Sequence, residues 1–164
     1  RSLSSAASDV YKRQAFGGGV GLISCCDIAL ASENSIFSLS EVKVGLIPAT
    51  ISPYVINAIG ARNARRLFTS GERFDSNIAK QINLVHEIAK EEDLEKRISY
   101  FINHFKQNGP QAVIAAKKIV LDIFNKEIDD SIISHTCEVI SALRTSKEGR
   151  EGVTAFLEKR NPNW

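Results

Sequence analysis

The chain has 164 residues, of which 43% are hydrophobic and 24% charged, the composition of an ordinary soluble globular protein. Lys and Arg number 21 against 19 Asp and Glu, and the resulting net charge of +2 indicates no nucleic-acid partner. No apolar run approaches the roughly 18–20 residues of a membrane-spanning helix, so we expect no membrane partner. The three Cys, with Cys25 and Cys26 adjacent, match neither a disulfide framework nor a zinc pattern, and they indicate reduced thiols in the cytoplasm.

The beginning of the sequence indicates a piece of a longer protein, because the chain starts at Arg1 and contains no Met. Residues 1–14 are polar and Ser-rich. They lack the apolar core of roughly 7–15 residues that a secretory signal requires. A native flexible leader and a foreign leader both fit this segment. We favour the foreign leader and expect the fold to begin at Ala15.

From Ala15 the pattern predicts short strands mixed with helices. The predictions in chain order are a helix through Val20, Ile23, Ser24 and Asp27, a strand at 28–31, a strand at 37–40, a loop at 45–53, a helix at 61–70, a short helix capped by Asp75 and a strand at 84–88. Cys25 and Cys26 lie in an apolar run and are predicted to be in the core.

The remainder of the chain is predicted to be helical throughout. The predictions are an amphipathic helix from Leu94 to Phe105, a second helix opening at Gly109-Pro110, a third capped by Asp129 or Asp130, and a fourth beginning at the capping-box spacing Thr145 to Glu148 and ending near Arg160. The apolar stripes of these helices need a partner, which another subunit could supply in part.

The glycine run Gly17–Gly19 stands at the mouth of the first predicted helix. Backbone N–H groups there have no intrahelical partner, and without side chains a ligand oxygen can approach them closely. Such donors suit a phosphate, or a carbonyl oxygen that becomes negative during a reaction. The run has no Gly-Lys-Ser/Thr of a P-loop and fails the dinucleotide fingerprint. Close packing alone would also explain these glycines.

Glu41 is the candidate acid/base residue, because it lies between a hydrophobic strand and the apolar segment that follows. Partial desolvation would suit its carboxylate to proton transfer, although a glutamate at a strand end is more often an ordinary surface residue. The three His are scattered without metal-ligand spacing, so no metal site is predicted. The arginines at 62, 65 and 66 could bind a phosphate, but we favour a solvated helix face.

Several motifs together closely resemble the crotonase (enoyl-CoA hydratase/isomerase) superfamily. These motifs are AFGGGVG at 15–21, CDIA at 26–29, FSLSE at 37–41, GLIP at 45–48, ARRL at 64–67, GERF at 71–74 and EGVTAFLEKR at 151–160. Their order and spacing match over residues 15–164. The segments 48–54 and 161–164 look most like those of bacterial methylglutaconyl-CoA and carboxygeranoyl-CoA hydratases.

The resemblance implies an α/β fold of the crotonase type. Residues 15–90 would form the C-terminal portion of a spiral of ββα units, and residues 91–164 a helical trimerisation region. The implied assembly is a homotrimer or a dimer of trimers. The implied partner is an acyl-CoA thioester, and no further cofactor is expected because coenzyme A is part of the substrate.

The resemblance also implies roles for individual residues. Gly18 matches the position whose N–H binds the oxygen of a thioester enolate, and Glu41 matches a catalytic acid/base. A second N–H donor and much of the adenine pocket would come from a segment before Ala15. The implied substrate-binding positions are Gly17, Gly19, Gly21, Ala49, Phe156 and Lys159, the last two covering coenzyme A from the C-terminal helix.

The sequence departs from the family at Gly21, where typical hydratases carry the first of two glutamates. The methylglutaconyl-like subgroup carries glycine there as well, so this departure does not exclude hydration. The leading prediction is an acyl-CoA hydratase for a branched or carboxylated enoyl-CoA. A Δ3,Δ2-enoyl-CoA isomerase using Glu41 alone is the first alternative. A non-catalytic, truncated CoA-binding or oligomeric subunit is the second. This chain by itself is expected to be inactive.

Overall fold

The computed structural model describes residues 13–164. The strands within that range are β1 (Gln14–Phe16), β2 (Leu30–Ser32), β3 (Ile36–Ser38), β4 (Arg73–Asp75) and β5 (Glu87–Ala89). A 3₁₀ helix covers Glu41–Val44, and the α-helices are α1 (Gly18–Ser24), α2 (Ser52–Ser70), α3 (Ser76–Gln81), α4 (Glu91–Gln107), α5 (Pro110–Ile123), α6 (Asp130–Thr145) and α7 (Lys147–Glu158). The chain divides into two compact units, of which the first ends at Ile98 and the second covers 99–164.

The first unit contains two small sheets. In one sheet β3 is central, with β1 parallel to it and β4 antiparallel to it. In the other sheet β2 and β5 pair in parallel. This mixture of short parallel strands and crossover helices is the predicted α/β architecture, followed by an all-helical second unit.

The core of the first unit lies between these sheets and helices α1, α2 and α3. Phe37 of β3 stacks on Phe74 of β4 with ring centroids 5.6 Å apart, a separation typical of offset aromatic pairs. Three further core side chains are almost fully buried, namely Val20, Leu39 and Val55. Val20 holds α1, and Val55 holds α2, against this core.

Several predicted boundaries in the first unit are wrong. The strands at 28–31, 37–40 and 84–88 are displaced by one to three residues, and β1 and β4 were not predicted. Three-residue strands carry too little alternation to be located by pattern, and their partners fix them instead. The predicted loop at 45–53 ends early because α2 starts at Ser52 with Pro53 in its first turn, a favoured place for proline.

Two further predictions near the start of the chain need comment. Gln14, which was assigned to the leader 1–14, pairs with Ile36 as part of β1, and residues 1–12 lie outside the described range. Cys25 and Cys26 are exposed, so their placement in the core is wrong. The helix was predicted to continue to Asp27, but α1 ends at Ser24 and turns both thiols outward.

Two helices of the second unit, α6 and α7, begin at side-chain N-caps. Of the two predicted caps, Asp129 is the one that accepts the N–H of Ile132. The predicted capping box of α7 is wrong by one residue, because Ser146, not Thr145, accepts the N–H of Gly149. The division between the units falls at 98/99, whereas the sequence analysis divided the chain at 90/91.

Glu148 was predicted to complete the capping box of α7, but its carboxylate has another role. Its two carboxylate oxygens accept the N–H groups of Gln111 and Ala112, at 2.9 and 2.8 Å, in the first turn of α5. A negative charge at a helix N-terminus is also favoured by the helix dipole. Glu148 therefore connects α7 to the start of α5.

We predict that Glu148→Ala destabilises the protein by about 1–2 kcal/mol, because two helix-terminal N–H groups lose their acceptor. Thermal unfolding followed by circular dichroism measures this loss. Glu138→Ala, which removes an exposed carboxylate from α6, is the matched control and should change the midpoint little. Equal midpoints for the two variants would contradict the assignment.

Candidate active site

The turn between β1 and α1 carries the glycine run. Gly17 has a positive φ of 49°, which favours glycine, and it immediately precedes α1. Its N–H donates to the carbonyl oxygen of Ser38 at 3.0 Å, which ties the turn to the end of β3. Gly18 is the first residue of α1, so its N–H belongs to the first turn, where no intrahelical acceptor is available.

The surroundings of Gly18 leave room for a ligand. A Cβ atom placed on this residue would meet no atom within 4 Å in the described part of the chain. The helix dipole adds partial positive charge at this end of α1. Gly18, the residue predicted to supply the oxyanion donor, therefore lies at a helix N-terminus with free space on its side-chain side, and its role as that donor stays a prediction. Gly19 is buried and packs inward.

Glu41 reaches this turn from β3. Because β1 and β3 are parallel neighbours, the segments that leave their carboxyl ends lie at the same edge of the sheet. The Oε1 atom of Glu41 lies 2.9 Å from where a Cβ on Gly17 would be, so any side chain at position 17 would meet the carboxylate. The structure thus brings the Glu41 carboxylate to the glycine run.

The other oxygen of this carboxylate is in an unusual state. Oε2 of Glu41 is buried and has no hydrogen-bond partner among the residues that the structure describes. A buried carboxylate oxygen without a donor is costly, and such groups are typical of sites that act on a bound molecule. Glu41 begins the 3₁₀ helix, rather than ending a strand as the sequence analysis expected.

Gly21 is placed differently from the glycines of the run at 17–19. It is buried, and a Cβ on it would lie 2.4 Å from Cγ2 and 2.7 Å from Cβ of Ile51. Position 21 therefore contacts protein, and no side chain fits there while Ile51 is present. Sequence reasoning did not identify Ile51, because nothing in the local pattern indicates its contact with Gly21.

Ala49 lies in the turn between the 3₁₀ helix and α2. Its side chain is exposed, and its carbonyl oxygen accepts the hydroxyl of Ser52 at 2.8 Å. The turn belongs to the same unit as Glu41. Ala49 thus shapes the start of α2, and its predicted contact with substrate stays a prediction.

Phe156 and Lys159 lie in the second unit, at the end of α7. The Phe156 side chain is 81% exposed and borders a cavity of about 590 Å³ that Trp164 also lines. Lys159 is exposed and adopts a left-handed φ of 54° that closes the helix. Both side chains are available to a ligand or a partner, and their predicted contact with coenzyme A stays a prediction.

The residues that follow α7 are fastened to it by Glu151. Arg160 donates to both carboxylate oxygens of Glu151, at 2.6 and 3.0 Å, and the N–H of Asn163 donates to it at 2.8 Å. These donors, Arg160 first, lower the pKa of Glu151 from its ordinary 4.5 to about 2. Trp164 then lies over Gly152, 3.3 Å from where a Cβ would be.

The remaining candidates do not join the site. His86 accepts the N–H of Ala29 at 3.0 Å, which is a structural role between β2 and β5. His135 lies 3.2 Å from Asp122. Within residues 13–164, no three His, Cys, Asp or Glu side chains are grouped as metal ligands, and no helix is long and apolar enough to cross a membrane. Arg62 and Arg65 are exposed on α2, and Arg66 pairs with Glu72.

Comparison with known proteins places the same residues in a family. The family model for enoyl-CoA hydratase/isomerase matches residues 12–164. The enoyl-CoA hydratase ACTT6 of Alternaria alternata is 31% identical over 158 residues, which are 94% of this chain and 52% of that protein. The chain thus spans about half the length of the curated relatives it matches.

Solved structures show the same fold. An enoyl-CoA hydratase from Shewanella pealeana superposes with a TM-score of 0.87 at 46% identity, covering 92% of this chain and 56% of that one. A protein from Legionella pneumophila, provisionally named an enoyl-CoA hydratase/isomerase (crotonase), gives a TM-score of 0.88 at 45% identity, with 92% and 58% covered. The crotonase fold predicted from the motifs is therefore confirmed.

We predict that acid releases the segment after α7. Because the pKa of Glu151 is lower in the folded state, this carboxylate stabilises the segment above pH 4.5, and the stabilisation is lost as the pH falls towards 2. Fluorescence of Trp164, the single tryptophan, reports the release. Glu151→Gln should show the released spectrum already at neutral pH, whereas Glu138→Gln should titrate like the unsubstituted chain. A Glu151→Gln spectrum with an unchanged acid transition would contradict this.

Proposed function

This chain belongs to the enoyl-CoA hydratase/isomerase family, and from that premise we propose that the protein is an acyl-CoA hydratase acting on an enoyl-CoA thioester. The observation that carries the proposal is the juxtaposition of the Glu41 carboxylate with the turn whose next residue, Gly18, begins α1. An acid/base group beside a backbone donor is what addition of water to a conjugated thioester requires.

The proposed reaction is divided between these two residues. Glu41 removes a proton from water as the water oxygen bonds to the β-carbon of the enoyl group. The electron pair of the double bond moves towards the thioester, and the Gly18 N–H stabilises the negative oxygen of the resulting enolate. The protonated Glu41 then delivers its proton to the α-carbon. One water is added, and the carboxylate is restored.

We propose a branched or carboxylated acyl group, as in methylglutaconyl-CoA. The support is the likeness of the segments 48–54 and 161–164 to the hydratases of that subgroup, together with Gly21. The reaction needs neither a metal nor a further cofactor, because coenzyme A belongs to the substrate. The three cysteines are free and exposed, which supports a reducing compartment, and we propose the cytoplasm.

A second function is favoured by one specific observation. Position 21 holds no carboxylate, so Glu41 is the acid/base group that the described site provides. A Δ3,Δ2-enoyl-CoA isomerase needs only one such group, which removes a proton at one carbon and returns it at another. Hydration consumes a conjugated double bond, and isomerisation creates one. The absorbance of the conjugated thioester therefore falls during hydration and rises during isomerisation, and this difference distinguishes the two reactions.

We propose that the second unit mediates a homotrimer or a dimer of trimers. The support is the number of large apolar side chains that are at least half exposed on α5, α6 and α7 and at the residue that closes α5. They are Ile114, Val120, Leu121, Phe124, Ile133, Ile140, Val153, Phe156 and Leu157. Surfaces of this kind are normally covered by a partner. Phe156 and Lys159 would then cover coenzyme A, within one subunit or across a boundary.

We predict that Glu41→Gln lowers turnover by about 10²–10⁴ while leaving acyl-CoA binding nearly intact, because the change removes proton transfer and keeps size and polarity. The experiment uses the natural full-length protein that contains this sequence. It measures kcat by absorbance and Kd by calorimetry. Glu33→Gln, an exposed carboxylate on the chain between β2 and β3, is the matched control. Near-normal turnover in Glu41→Gln would show that the acid/base residue is another one.

We also predict that the 164-residue chain alone shows little hydratase activity. The resemblance assigns the second oxyanion donor to a segment before Ala15, and losing one such donor costs about 10²–10³ in rate. A purified sample is compared with a full-length relative under the same conditions. Binding without turnover would favour the non-catalytic CoA-binding alternative for this chain. Turnover comparable with the relative would overturn the prediction.

A further inference from the structure

Two side chains lie beside the turn that opens α1. Glu41 approaches Gly17, the non-helical residue just before α1, and Ile51 approaches Gly21 within the helix. The N–H of Gly21 donates to the carbonyl oxygen of Gly17 at 3.2 Å, so the two approaches lie about one helical turn apart on the same short segment. The Glu41 carboxylate and the Ile51 side chain therefore flank residues 17–21 together.

Position 21 has no room for a residue other than glycine. A Cβ there would lie 2.4 Å from Cγ2 and 2.7 Å from Cβ of Ile51, and these atoms are next to the Ile51 backbone, so they cannot swing away as a flexible tip would. Ile51 is β-branched and directly precedes α2, so its rotamers are restricted. It is packed against the core of the first unit. Ile51 therefore holds the space that a side chain at position 21 would need.

We propose that Ile51 is a specificity-determining residue of this site. This rests on the proposed function and adds the residue that sets which acyl groups fit beside Glu41. A hydrocarbon side chain offers no hydrogen bond, so the wall on this side of the carboxylate is apolar. Its bulk limits the space available to substituents on the β-carbon, which receives the water oxygen, and on the α-carbon, which receives the proton from Glu41.

The chemical consequence is a single-carboxylate site with one apolar wall. A polar acyl substituent directed at Ile51 loses its water without gaining a partner, which is unfavourable. A small alkyl substituent fits there, whereas a larger one meets the Ile51 side chain. The wall therefore limits alkyl substituents by size, and a carboxylated substrate has to direct its carboxylate away from Ile51.

The first test measures discrimination between acyl groups. Ile51→Ala enlarges the site, so the ratio of kcat/KM for 3-methylcrotonyl-CoA to that for crotonyl-CoA should rise about 10-fold or more, the usual effect of a methylene-sized change in an apolar pocket. Ile78→Ala is the matched control. Ile78 is also a partly buried isoleucine packed against the core, but it lies on α3. An unchanged ratio in Ile51→Ala, or an equal change in Ile78→Ala, would overturn the proposal.

The second test measures the contact itself. Gly21→Ala alone should lower the unfolding midpoint and the activity, because its Cβ collides with Ile51. Gly21→Ala combined with Ile51→Ala should recover towards the Ile51→Ala level, since the obstructing side chain is gone. Effects of Gly21→Ala that are equal in both backgrounds would overturn the contact and with it the proposal.

A binding measurement separates this proposal from the proposed function. Calorimetry with the non-reacting thioesters butyryl-CoA and isovaleryl-CoA gives a Kd ratio that needs no turnover. If Ile51→Ala shifts this ratio about 10-fold towards isovaleryl-CoA while the natural protein turns over no enoyl-CoA, the proposed function fails and the assignment of Ile51 stands. If the protein hydrates enoyl-CoA but neither ratio moves, the assignment of Ile51 fails alone.

Discussion

The parallel pairing of β1 with β3 is the constraint on which the site depends. Residues 14–16 run beside residues 36–38 in the same direction, so both strands deliver their following segments to one edge of the sheet. The segment after β1 is a glycine turn that opens a helix, and the segment after β3 ends at a carboxylate. A hydrogen bond from Gly17 to Ser38 fixes the distance between them. A helix N-terminus and the Glu41 carboxylate meet because of this pairing.

Close approach, together with the positive φ of two of them, explains the glycines around this edge. Gly17 admits the Glu41 carboxylate, and Gly21 admits Ile51. Gly71 has a positive φ of 56° at the end of α2, and a Cβ there would lie 3.1 Å from Val42 in the 3₁₀ helix. In each case the missing side chain lets a neighbouring element come nearer than two side chains would allow. The position of Glu41 is therefore fixed from more than one side.

The sequence was informative where a signal is long or local. Helix α4 has a sustained apolar period, and the cap at Asp129 was identified as one of two candidates. Glu41 and Gly18 were identified through motifs, whereas their convergence depends on strand pairing that three-residue strands do not encode locally. The start of α2 at Ser52 and the contact of Ile51 with Gly21 were missed for the same physical reason. Both are set by tertiary packing, which overrides local propensity.

The Gly21–Ile51 contact gives the proposed chemistry a definite form. With a single carboxylate, the proton that leaves water has to remain on Glu41 until the α-carbon accepts it. Hydration and double-bond isomerisation then use the same residue and differ only in the atom that first gives up the proton. The choice between them depends on whether a water molecule fits beside the bound thioester, and the bulk of Ile51 bears directly on that space.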